Sequence, residues 1–79
     1  MDTIISLSDH SRSEPIEGKL GYLSQSGMRV YVRSGITLGT SLNVEYEGLV
    51  ARGIVWDSRR FKEGYSIGIE FQTVSRRNL

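Results

Sequence analysis

Tyr65, Ile67, Ile69 and Phe71 alternate strictly with Ser66, Gly68, Glu70 and Gln72. Successive side chains of a strand point to opposite faces, so only β-structure buries one of these sets while wetting the other. The same period recurs with Met28, Val30 and Val32 against Arg29, Tyr31 and Arg33, and with Leu42, Val44 and Tyr46 against Asn43, Glu45 and Glu47. No sustained apolar spacing of three and four residues competes with it. With 79 residues the chain is one domain, and a chain this short buries only about 60% of its unfolded surface. A minimal all-β fold fits; a deep catalytic cleft does not.

Turn signals divide the chain. Residues 8–15 are polar and read as a loop, and the short apolar run 3–7 before them reads either as a first strand or as a disordered start. Ile16–Leu23 reads as a strand that Gly18 and Gly21 weaken or bulge. Ser24–Gly27 turns the chain, and Gly39 turns it again within the connection Ile36–Thr40. Glu47-Gly48 reads as a tight hairpin in which Gly48 supplies a positive φ. Leu49–Asp57 carries apolar residues on both faces, as a doubly covered strand or one with a bulge near Gly53 would. Ser58–Gly64 reads as a polar connection and residues 75–79 as frayed. The expected fold is an all-β, small antiparallel barrel of five to six strands over residues 16–72. Residues 1–15 form a flexible start, with a short strand at 3–7, and residues 73–79 form a tail. If 3–7 pairs, the barrel closes; if not, an edge stays open to dimerisation.

Composition narrows the chemistry. Without cysteine there are no disulfides or thiolate metal sites, and His10 stands alone in a polar segment, so neither metal nor cofactor is expected. The formal charge of +1 argues against DNA or RNA as partner, since such binding needs a basic excess. The pairs Arg59-Arg60 and Arg76-Arg77 read as solvated positions. No segment resembles a signal peptide or reaches membrane-spanning length, so a cytoplasmic chain without membrane insertion is expected. Glu45 and Glu47 read as solvated, Trp56 as core or rim packing, and nothing pairs a nucleophile with a base, so no enzyme activity is expected.

Three segments carry a resemblance. Tyr22-Leu-Ser-Gln-Ser-Gly27 matches, at Ser24 and Gly27, a motif of an acidic or amide residue, any residue, Ser, two residues and Gly, with Tyr22 in the acidic or amide place. Met28-Arg-Val, Gly53-Ile-Val-Trp56 and Gly68-Ile-Glu-Phe71 succeed it in order. Together they resemble the PilZ family, small bacterial β-barrels that act as receptors for cyclic di-GMP, over about Ile16 to Phe71. The resemblance implies a ligand site at Tyr22, Ser24 and Gly27; Arg29, on the outer face of the following strand, and Arg12 upstream are the candidate cations for it. The family's upstream Arg-x-x-x-Arg pair, whose guanidinium forks clamp guanines and phosphates, is missing: Arg12 is the only upstream arginine, and Ile16 stands four residues later. Each charge-assisted contact contributes ~1.5–3 kcal/mol, so the loss weakens binding by roughly two to four decades. The resemblance therefore implies a non-catalytic regulatory module of cyclic di-GMP signalling with nucleotide binding weakened or lost. The alternative is a degenerate barrel working as a protein–protein adaptor, through an exposed edge strand or a patch around Tyr31, Trp56 and Tyr65. A protein partner is expected in either case, and the chain as a monomer or small homo-oligomer.

Overall fold

The computed structural model describes residues 4–8 and 15–76. Six strands make up the fold: β1 (Ile4–Ser8), β2 (Ile16–Leu23), β3 (Gly27–Val32), β4 (Ser41–Tyr46), β5 (Leu49–Phe61) and β6 (Gly64–Arg76). All pairings are antiparallel, and the sheet closes in the order β1-β2-β3-β6-β5-β4. The described residues contain no helix. The closing element is β1, which sets Leu7 against Ile16 of β2 on one side and Val44 of β4 on the other. Closure satisfies the ladder on both sides and removes the free edge strand that the adaptor reading offered as a contact surface.

The alternation read from the sequence is the inside–outside alternation of the wall. Ile5 and Leu7, Met28, Val30 and Val32, Leu42 and Val44, Ala51 and Val55, and Ile67 and Ile69 all point inward and are buried. Ile36 joins them from the connection after β3, so one aliphatic cluster fills the barrel. Its partly buried rim includes Ile16, Leu20, Tyr46, Tyr65 and Phe71. Tyr65 therefore belongs to the core side of the wall and not to an outward patch with Tyr31 and Trp56.

Turn chemistry agrees with the sequence in the first hairpin and departs from it in the second. Between β4 and β5, Glu47 and Gly48 have φ of 44° and 84°, positive at both central positions as in a type I′ turn. Between β5 and β6 the chain needs only Lys62 and Glu63, because Ser58 to Phe61 pair residue by residue with Ile67 to Gly64. The expected connection over 58–64 is thus strand. At its other end β6 stays paired through Ser75 and Arg76, opposite Val50 and Leu49, where a frayed end was expected. Both extensions escape a periodicity search for one reason. β4 accompanies β5 only to Ile54, and β3 accompanies β6 only from Tyr65 to Glu70. Residues 58–61 of β5 and 72–76 of β6 therefore have a neighbour on one side only and are largely exposed, so alternation is not required of them.

Leu7 tests closure. Leu7→Ala removes a fully buried side chain from the closing strand and should destabilise the fold by about 2–5 kcal/mol in urea unfolding. A change below about 1 kcal/mol, well under that range, would mean that β1 is not part of the folded barrel.

Candidate functional site

With the interior filled by aliphatic chains, chemistry is confined to the outer wall. The resemblance pointed to the β2–β3 turn, and the structure brings Tyr22, Ser24 and Gly27 together there. Ser24 N–H donates to the Gly27 carbonyl at 2.9 Å, and the Ser24 hydroxyl donates to the same oxygen at 3.2 Å. The Phe71 amide donates to the Ser26 carbonyl at 2.8 Å, which ties the turn to β6. Ser24 is thus a hairpin-closing residue. Gly27 lies outside the left-handed region, which among the described glycines holds only Gly39 and Gly48. It is required for a different reason than turn geometry: a Cβ there would run into the Ile69 carbonyl of β6.

Arg29, two residues further along β3, is held by three groups. It pairs with Gly68 of β6, and Gly68 pairs in turn with Asp57 of β5, so the three lie in a row across the wall. Adjacent strands are about 4.8 Å apart, and the missing side chain of Gly68 leaves a path along which Arg29 reaches two strands over. Its Nη2 donates to Asp57 Oδ2 at 2.9 Å and its Nη1 to Ser66 Oγ at 2.7 Å. The side chains of Arg29 and Asp57 are 20% and 14% exposed. Arg59, itself 76% exposed, adds a contact from its Nε to Asp57 Oδ1 at 3.1 Å. The bond to Asp57 raises the Arg29 pKa further above its ordinary value, against the opposing effect of burial, and a bond to the Tyr22 side chain adds to the rise. Reciprocally, the Arg29 bond holds the Asp57 carboxyl below the usual carboxylate range, against burial and with help from Arg59.

Trp56 is not a core residue. At 57% exposure it stands outside the wall, over Gly68, where an added Cβ would meet its Nε1 at 3.0 Å. Together with Tyr22, Ser24, Ser26, Gly27, Met28, Ile69 and Glu70 it lines a hollow of about 160 Å³. Arg29 is not among the lining residues, although a Cβ at Gly68 would meet its Nη2 at 3.2 Å, beside the Trp56 indole. Arg12, the remaining residue singled out in the sequence, and His10 lie outside the described residues. Lower on the wall Tyr31 stacks on Phe61 at 5.0 Å between centroids, with Lys62 Nζ 5.4 Å from the Phe61 ring. A larger depression of about 300 Å³ near the β4–β5 hairpin is lined by Glu17, Glu45 and Glu47 among others. Among the described residues no group of three His, Asp or Glu side chains is placed to hold a metal ion, and no helix is long and apolar enough to cross a membrane.

Asp57, Ser66 and Glu70 were not singled out in the sequence. Asp57 and Arg29 are 28 residues apart, and only the β3–β6–β5 register joins them. The one local signal was the loss of apolar alternation just after Trp56.

No family model, curated protein or solved structure matches the chain. The likeness to PilZ barrels therefore rests on the quoted residues.

The Arg29–Asp57 pair gives a pH signature. A carboxylate whose folded pKa is depressed contributes stability that is present above its unfolded pKa, about 3.9, and is lost as pH falls through the folded value. Asp57→Asn should be less stable than the native chain at pH 7. The difference should shrink as pH falls below about 4, as measured by urea unfolding at a series of pH values. A difference independent of pH would show that the pair contributes nothing through its charge.

Proposed function

We propose that this chain is a non-catalytic regulatory module, similar to the PilZ barrels of bacterial cyclic di-GMP signalling, that has lost most of its affinity for the nucleotide. It acts in the cytoplasm through a protein partner. The observation that carries this reading is the engagement of Arg29. It is the arginine nearest in sequence to the Ser24–Gly27 turn, and its guanidinium donates to Asp57 and Ser66 on the outer wall. A phosphate would have to displace those contacts, and charge-assisted bonds contribute ~1.5–3 kcal/mol each.

Two further features support it. The hollow at the turn, about 160 Å³, falls below the roughly 300–1,000 Å³ usual for small-molecule sites. Its one carboxylate, Glu70, would repel the two phosphates of the nucleotide. The absence of catalysis is supported by Ser24, whose hydroxyl donates to a backbone carbonyl and is not activated by a base. What the turn face offers instead is exposed aromatic surface, and Trp and Tyr dominate the contact energy of protein interfaces.

Calorimetric titration with cyclic di-GMP, with GMP as control, tests the reading. No saturable heat should appear with ligand at about 100 μM, a dissociation constant for which the binding free energy is roughly −5.5 kcal/mol. Saturable binding in the low-micromolar range that Ser24→Ala or Gly27→Ala weakens would overturn it and restore a nucleotide receptor.

A further inference from the structure

Two of the three places where the ladder changes register border the turn-face hollow. On β2, Gly21 is skipped between the pairs Leu20↔Val30 and Tyr22↔Arg29. On β5, Trp56 is skipped between Val55↔Ile69 and Asp57↔Gly68. Bulges re-aim side chains, and each of these two delivers an aromatic ring to the outside of the wall. Tyr22 is 56% exposed, as Trp56 is 57% exposed. A small domain with a thin stability margin gains nothing in folding from leaving its one tryptophan in water. Both rings line the same hollow.

The electrostatics of that hollow select the occupant. Glu70 is exposed, is the only carboxylate lining the hollow, and makes no ion pair among the described residues. Arg29 lies nearby, but Asp57 matches its charge at 2.9 Å. Aromatic faces are negative and attract cations, and Glu70 adds a full negative charge beside them. A guanidinium suits this set better than an ammonium. It is planar, weakly hydrated, stacks on an indole and presents a fork that fits a carboxylate. One such side chain is also on the scale of a 160 Å³ recess.

We propose that the Tyr22–Trp56–Glu70 hollow receives an arginine side chain presented by a protein partner, stacked on Trp56 with its fork on the Glu70 carboxylate. This deepens the regulatory-module reading and rests on it, because it names the partner chemistry of the same face.

The test is a ¹⁵N NMR titration with the peptide acetyl-Gly-Ser-Arg-Ser-Gly-amide and with the same peptide carrying citrulline, an uncharged isostere, in place of arginine. Trp56 is the only tryptophan, so its indole N–H is an unambiguous reporter. The arginine peptide should shift that signal and the amides of Gly27 and Glu70 in a saturable way, and the citrulline peptide should bind about fivefold more weakly or less. Glu70→Gln, at an exposed position that leaves the core intact, should narrow the difference between the two peptides, with stacking on Trp56 left as the source of any remaining preference for arginine. Equal responses to both peptides in the native chain, no response at the indole, or selectivity undiminished by Glu70→Gln would each overturn the proposal. Cyclic di-GMP run in parallel separates the two readings. Micromolar shifts by the nucleotide would refute weakened nucleotide binding, whereas loss of arginine selectivity alone would refute only the arginine site.

Discussion

A six-stranded barrel this small has room inside for little more than one cluster of aliphatic side chains, and that constraint governs everything else. Leu7, Val30, Val44, Val55 and Ile67 occupy the interior as part of one buried aliphatic cluster. Every group capable of recognition must then stand on the outer wall. There it is solvated unless a neighbour covers it, and its charges are screened unless they are partly desolvated. Arg29 and Asp57, both mostly covered and joined across Gly68, form a pair that escapes full solvation. It links β3 to β5 over the top of β6, and it consumes the cation that the turn face would otherwise present.

The same arrangement ranks the forces in the candidate site. The Arg59–Asp57 contact involves a side chain 76% exposed, and pairs of that kind contribute little. Arg29 is different because its donors reach partners that are themselves covered. With that cation matched, the hollow beside it is left with two aromatic rings and a carboxylate. The wall around the turn is thus better suited to a cationic partner than to a phosphate, although the Ser24–Gly27 turn that resembles a nucleotide-binding motif is intact.

Much of the barrel was legible in the sequence, because burial on one face imposes period two, and that period was visible in β3, β4 and the first half of β6. The Glu47-Gly48 turn was legible for its positive φ. What escaped was structure that burial does not constrain: Ser58–Phe61 and the end of β6, which pair on one side only and are largely exposed. In the site, the turn residues could be read from their local motif. Asp57 and Ser66 could not, since their relation to Arg29 exists only through strand register. Trp56 misled for a related reason: an aromatic within an apolar run reads as core until a bulge turns it outward. Gly27 was singled out for its turn, but what it provides is room for the Ile69 carbonyl and not a special φ.

The engagement of Arg29 by Asp57 and Ser66 is the claim on which both the site and the function depend, and NMR of its guanidinium tests it most directly. A guanidinium held by Asp57 and Ser66 rotates slowly and should give separate, protected Nη–H signals at neutral pH that collapse in Asp57→Asn. Those signals should stay in place when phosphate is added. A single averaged signal in the native chain, or one that moves with phosphate, would show a free arginine at the turn face and contradict the account.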